Sequence, residues 1–373
     1  MSPHSDSQDN STAAASGTAS ENVDILRLQQ ENDELRKNNS LMKESLKEEH
    51  KEKENLNKQL SYRLTEIDEL KAESENCFGR EKNSLMILSG FENKTELLSY
   101  VLKPDGSQNS VEIKMPFSGH KYHYLNSSIY ALIRGKVYIF GGYYKGYELR
   151  IAMISGCEIK ELESKLNSHF TYNSAAVTAA DQQSAMICFP RDDEWRSCEE
   201  FDGTDVSIKP ATKYSHKGSC LALYNNKPVT VSSSLSDGYK KVEKFDGVSW
   251  IELEDFPSAI YFHSCIGVFD GYLLFGAKYK NNGKYGNSKD VYLLRDSKWT
   301  VVGKLNEFHS YSTATRIGNT IYLVSGRNQR SHIYAVEKLE WDGEKISSAK
   351  VIKNHSKEFI RPIVFPVDEF YCT

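Results

Sequence analysis

The sequence predicts an all-β wheel of six four-stranded blades, a β-propeller, preceded by a long α-helical coiled coil. Three observations carry this. Asp-Gly or a related turn recurs between alternating strands at steps of 44 to 50 residues from Asp105 onward. A short apolar strand ending in a small residue recurs in phase with it. Ahead of both lies a glycine- and proline-free stretch, Ile25 to Cys77, with apolar residues at heptad spacing.

Residues 1–20 are polar and rich in Ser and Ala, so they cannot build a core and are expected to be disordered. Residues 21–77 are expected to form the coiled coil. Its a positions include Ile25, Asn32, Asn39, Leu46, Leu60 and Ile67, and its d positions Leu28, Leu35, Met42, Leu56 and Leu70. Lys53, Glu49 and Arg63 interrupt the seam. Sustained a/d spacing favours a coiled coil over a solvated surface helix. Asn at a favours two strands in register, hence a parallel homodimer. Residues 78–83 are the expected linker.

The repeat region spans 84–373. Its first marker is the turn: Asp105-Gly106, Ser155-Gly156, Asp202-Gly203, Asp246-Gly247, Asp296-Ser297 and Asp342-Gly343. Asp-Gly between alternating runs is a hairpin signal, expected here as a type I′ turn with both central residues at positive φ. The second marker is SLMILSG at 84–90, KVYIFGG at 136–142, SAMICFP at 184–190, PVTVSSS at 228–234, GYLLFGA at 271–277 and TIYLVSG at 320–326. In five of six units another apolar strand precedes it. One unit is thus a four-stranded meander of about 47 residues, the size of a propeller blade. The first unit lacks an inner strand, and residues 361–368 follow the sixth unit without one to serve. They are expected to supply that strand and close the ring, which also removes an edge. Residues 370–373 are left unplaced.

Bulk composition excludes several classes. Lys plus Arg total 47 against 51 Asp plus Glu, a net charge of −4, so a dedicated nucleic-acid binder is not expected. No apolar run is long enough to span a bilayer. No secretory leader is apparent, and seven cysteines without CxxC spacing read as reduced thiols of a cytoplasmic protein. The triplets at Asn93 and Asn126 therefore carry no glycosylation reading.

KVYIFGG with its terminal double glycine, the aromatic-bearing strand downstream and the 47-residue period resemble Kelch-repeat propellers across 84–373. Blades 3 and 4 depart from the pattern, with Phe-Pro and Ser-Ser where Gly-Gly would stand. The resemblance implies a rigid disc that binds proteins through its loops. It also extends to copper oxidases of the galactose-oxidase type, which need paired Tyr, Cys and His ligands; no motif selects them here, and no cofactor is expected. GxSxG, P-loop and HExxH motifs are absent from the sequence.

Two residue sets stand out as candidates. His123, His169, His216, His263, His309 and His355 recur at steps of 46 or 47, just before the inner strands. They form either a ring that binds a metal or anion or senses pH, or a legacy of repetition in which each caps its own loop. Their variable offset from the following Ser favours the second. The loops after each second strand carry Tyr143, Tyr144, Tyr147, Arg191, Trp195, Arg196, Tyr239, Lys278, Tyr279, Lys280, Tyr285, Arg327 and Arg330. Exposed Tyr, Trp and Arg are typical binding anchors. The face is expected to take a protein partner, with an acidic or phosphorylated peptide as one form and a cytoskeletal linker role, for example to actin, as the alternative. A non-enzymatic scaffold is the functional expectation.

Overall fold

The computed structural model describes residues 25–54, 57, 82–90, 97–115, 125, 128–142, 148–171, 173–281, 284–324, 334–355, 361–368 and 371–372. The chain divides into two units, Met1–Arg80 and Glu81–Thr373.

In the first unit, residues 25–54 form one α-helix. At 1.5 Å per residue it is about 45 Å long. Exposed i,i+4 pairs support it, such as Arg27 Nε to Glu31 at 3.3 Å. Its seam is bare: Ile25, Leu28, Leu35, Met42 and Leu46 are 52–63 % exposed. Among the described residues there is one long helix, so pairing is not shown. Leu56, Leu60, Ile67 and Leu70, like residues 1–20, lie outside the described residues.

The second unit is a six-bladed β-propeller. Blade 2 runs outward from Ile129–Ile133 through Lys136–Phe140 and Arg150–Ser155 to Glu158–Lys165. Blade 3 is Ala175–Thr178, Ala185–Cys188, Cys198–Phe201 and Val206–Lys209. Blade 4 is Leu221–Tyr224, Lys227–Val231, Val242–Phe245 and Trp250–Glu252. Blade 5 is Ser264–Val268, Gly271–Asn281, Lys284–Arg295 and Lys298–Lys304. Blade 6 is Thr313–Ile317, Thr320–Val324, Tyr334–Trp341 and Ile346–His355. Blade 1 takes its inner strand, Ile363–Val367, from the far end of the chain; it pairs antiparallel with Ser84–Gly90, followed by Leu97–Leu102 and Gln108–Ser110.

The core is six wedges, one between each pair of neighbouring blades. Successive side chains of a strand point to opposite faces, so each middle strand feeds two wedges. Ile187 packs towards blade 2, while Met186 and Cys188 pack towards blade 4. Ile321 and Leu323 pack towards blade 5, Tyr322 and Val324 towards blade 1. A strand buried on both faces reads as a continuous apolar run rather than an alternating one.

The turns differ from expectation. Gly203, Gly247 and Gly343 have φ near +100° to +117°, but the preceding aspartates are not left-handed. Each Asp instead accepts two backbone N–H bonds from the residues closing its loop, as Asp246 Oδ1 does from Val248 N at 2.7 Å and Ser249 N at 2.8 Å. These are side-chain-capped loops two residues longer than type I′. Asp296-Ser297, with φ of +50° and +58°, keeps the two-residue form.

The double-glycine position explains the departures in blades 3 and 4. Gly141 and Gly276 are left-handed (φ +67° and +46°), and a Cβ on Gly141 would lie 2.2 Å from the Phe170 carbonyl oxygen. Phe189 (φ +70°) and Ser232 (φ +61°) hold the same conformation without glycine. In blade 5 the expected loop after Ala277 is instead β-structure. A bulge after Phe275 lets the strands continue as a ribbon to Asn281 and Lys284. Gly286 leaves room there for the Tyr279 ring, whose Cζ lies 2.3 Å from where a Cβ would stand.

The expectation of reduced cysteines is overturned. Cys188–Cys198, Cys220–Cys265 and Cys157–Cys372 are disulfides. Sequence spacing hides them because their proximity is a product of the sheet and the ring. Cys188 and Cys198 face each other across two strands of blade 3. Cys220 and Cys265 join the inner edges of blades 4 and 5. Cys157 sits in the outer hairpin of blade 2 and captures Cys372 just after the closing strand, where Tyr371 Oη also donates to Gly156 O at 2.9 Å. Two residues of the unplaced tail thus bind the end of the chain to blade 2, beyond the blade it completes. Cys77 lies outside the described residues.

Candidate functional site

The described loops that enter the inner strands of blades 3, 4, 5, 6 and 1 meet around the axis. Their backbones form a chain of hydrogen bonds from blade to blade: Gly218 N to Asn173 O at 3.0 Å, Phe262 N to Gly218 O at 2.8 Å, Tyr311 N to Phe262 O at 2.8 Å, and Arg361 N to Tyr311 O at 2.9 Å. Four of these five residues are left-handed, three without being glycine: Phe262, Tyr311 and Arg361 at φ +56°, +62° and +46°. Such strain persists where surrounding structure over-determines it, and here the neighbour's carbonyl does so.

Inside this ring lies a channel cavity of about 580 Å³ walled by the inner strands. Among its described lining residues there are two arginines, Arg316 and Arg361, and no carboxylate. Arg361 reaches across the opening, with Nη1 donating to Ser174 O at 3.2 Å and Nη2 to Gly218 O at 3.4 Å. Phe262 and Tyr311 stack beside it, centroids 3.9 Å apart and 23° between planes. Lys278 Nζ sits 4.9 Å from the Tyr311 ring centroid.

The histidine series separates into different roles. His216 Nε2 lies 2.8 Å from Glu243 and His309 Nε2 3.0 Å from Glu337, all four side chains at most 1 % exposed. Each Glu stands on the third strand of its blade and also accepts backbone N–H bonds from the incoming loop: Lys213 and Tyr214 onto Glu243, Asn306 and Glu307 onto Glu337. Burial alone would raise the Glu337 carboxyl; the bonds from His309, Asn306 and Glu307 outweigh it and hold the group below its ordinary value. These pairs lock loop to blade. In blade 3, Glu199 Oε2 accepts the Asn167 N–H at 2.9 Å, but His169 turns outward to Asp192 at the surface.

His263 differs from all of these. It is 2 % exposed, and neither ring nitrogen has a hydrogen-bond partner. Tyr292 stands at the register position where blades 3, 4 and 6 carry Glu. His263 itself occupies the register position of Ser174, Ser219 and Ser312, at the entry to the inner strand. Burial, then the charges of Arg361 and His216, push its pKa down to about 3. It is a neutral imidazole on the channel wall. His355 is the last residue of a blade 6 strand, opposite Tyr334, rather than a loop residue; His123 lies outside the described residues.

The aromatic-cationic loop set is brought together only in part. Trp195 is not an exposed anchor: it is 8 % exposed, packed with Phe189 and the Cys188–Cys198 bridge. Glu194 and Trp195 are both left-handed (φ +60° and +66°), which folds the indole back into the wedge between blades 3 and 4. Arg196 is committed to Asp237 of the next blade at 3.0 Å. Arg191 is exposed, Tyr239 half-buried and Tyr279 36 % exposed. Tyr143, Tyr144, Tyr147, Arg327 and Arg330 lie outside the described residues, as do the side chains of Lys280, Tyr285 and His355. Sequence reading missed Arg361, Phe262 and Tyr311. Their phase relative to the inner strands was the available signal.

Among the described residues, no three His, Cys, Asp or Glu side chains gather as a metal site, and no helix is long and apolar enough to cross a membrane. No family model matches the chain, and no curated protein does. Among solved structures, YjhT is similar in fold: TM-score 0.54 at 14 % identity, over 73 % of this chain and 99 % of that one.

Proposed function

We propose that this protein is a non-enzymatic protein-interaction scaffold. The helix pairs two chains, and each presents a propeller whose loop face binds a protein partner. The observation that carries the reading is the helix seam: five large apolar side chains in heptad register, each more than half exposed. Apolar surface in a regular stripe is what a partner helix covers. Pairing would let two weak loop contacts act together through effective concentration. Exposed Arg191 and half-buried Lys217 and Lys278 on the loop side favour an acidic or phosphorylated segment of the partner. The three disulfides support an oxidising compartment in place of the cytoplasmic location expected from the sequence.

Light scattering on the full chain tests the pairing. We expect a dimer at tens of micromolar that becomes a monomer on Leu28→Asp with Leu35→Asp, while the β-sheet circular dichroism is unchanged. Partner capture from an extract should fall with it. A wild-type monomer at that concentration refutes the scaffold in this form.

A further inference from the structure

The outer strand of blade 6 carries a feature that neither the pairing helix nor the loop face uses. With six cysteines bridged, Asn-Xaa-Ser/Thr triplets regain a chemical meaning, because the compartment that oxidises thiols is also where such asparagines are glycosylated. Five stand in the sequence, at Asn10, Asn38, Asn93, Asn126 and Asn354. Asn38 and Asn354 are among the described residues, and both are exposed. Backbone conformation separates the two. The reaction needs the carboxamide and the hydroxyl two residues on to stand side by side. In the helix over residues 25–54, Asn38 and Ser40 point about 200° apart. In extended backbone, positions i and i+2 line one face, and Asn354 lies in the strand Ile346–His355, opposite Ala335. That strand is the edge of its sheet and, at 10 residues, the longest outer strand of the six blades; the others have 3, 8, 4, 3 and 7. A long exposed edge invites pairing with another chain.

We propose that Asn354 is the acceptor of an N-linked oligosaccharide, a site that rests on the oxidising compartment inferred above. The donor is an oligosaccharide carried on a polyprenyl diphosphate. Asn354 Nδ2 attacks the anomeric carbon of its first sugar. A C–N bond forms as the C–O bond to the diphosphate breaks, and the polyprenyl diphosphate leaves with the amide proton. The glycan then stands at the open edge of blade 6 and blocks a second chain from adding a strand there. Asn38 stays bare for a second reason besides its helical geometry. It holds a g position next to the seam residue Asn39, where a glycan would crowd a partner helix.

The full chain, sent through the secretory pathway of cultured animal cells by a leader fused before Met1, tests the site. The leader fixes the route, so the outcome reads the acceptor. Peptide mapping with and without peptide N-glycosidase should show a glycan released from Asn354 and none from Asn38. Cells and medium are mapped together, so a variant that fails to fold is still read. Asn354→Gln should lose that glycan. Ser356→Ala should lose it too, although the carboxamide remains, and Ser356→Thr should keep it. The same maps read the cysteines. Bare Asn354 in protein whose six cysteines are bridged overturns the proposal and leaves the oxidising compartment standing; bare Asn354 with free cysteines overturns both. A glycan on Asn38 in place of Asn354, or one on Asn354 that survives Ser356→Ala, also overturns it.

Discussion

Replacing His263 with serine should flatten the dependence of stability on pH. In the unfolded chain the imidazole titrates near its ordinary 6.5; in the fold it is held down to about 3. The unfolded state therefore binds the extra proton as pH falls, so the contribution is intact above 6.5 and is lost progressively below it, down to about 3. At pH 5 the unfolded group lies 1.5 units below its own pKa while the folded group is still neutral. At about 1.4 kcal/mol per unit, the wild type loses about 2 kcal/mol from this residue between pH 8 and pH 5. Arg361 and His216 are the neighbours that face it, and both remain in the variant. Urea unfolding of both proteins at pH 8 and pH 5, in chloride buffers without carboxylates, reads the difference directly. His263→Ser should be the less pH-sensitive protein by about 2 kcal/mol, whatever its absolute stability. Equal pH losses in the two proteins would refute the claim that this imidazole is buried and neutral. A His263 ring resonance that titrates near 6.5 would refute it too.

Further outcomes follow from other contacts. Ser232→Gly removes left-handed strain yet should destabilise by about 1–3 kcal/mol, because the buried hydroxyl donates to Ile260 O and accepts from Ile260 N and Lys240 N; a more stable variant in chemical denaturation would contradict this. Glu337→Ala strands His309 and two backbone N–H groups and should cost about 3 kcal/mol or more. Because the Glu337 carboxyl is held low, its contribution is present above the ordinary carboxylate range and fades as pH falls through the folded value, so wild type and variant should converge in stability towards acid. Cys372→Ser opens a bridge separated by 215 residues. Chain entropy sets an upper bound of about 5 kcal/mol on the loss, seen as a lower guanidinium midpoint; an unchanged midpoint would show that the closing strand alone holds the ring. Alkylation mass spectrometry without reductant should find six protected cysteines, and free thiols at Cys188 or Cys220 would count against the bridges.

What the sequence determined by itself was whatever is local or periodic. Apolar runs, turn residues and their 47-residue phase specify four strands and then repeat, and counting units against strands identified residues 361–368 as the missing inner strand. Gly141 and Gly276 marked the ends of their strands in the sequence, and the structure shows that position to be left-handed. Phe189 and Ser232 concealed the same demand: Ser232 is held by the Ile260 carbonyl of the next blade, Phe189 by bonds with Ser174 and Ser197 of its own. Only the tertiary structure decided which residues meet across the ring. Cys220 and Cys265 lie one blade apart, Cys157 and Cys372 meet where the chain closes, and Arg361 reaches carbonyls of blades 3 and 4. Burial of Trp195 and the split of the histidines into Glu-locked, surface and unpartnered members were likewise hidden. The physical reason is common to all of them: repetition fixes each residue's place within its own blade, but its charge state and contacts are set by side chains on the next blade or across the axis, and those are the positions at which the six repeats differ.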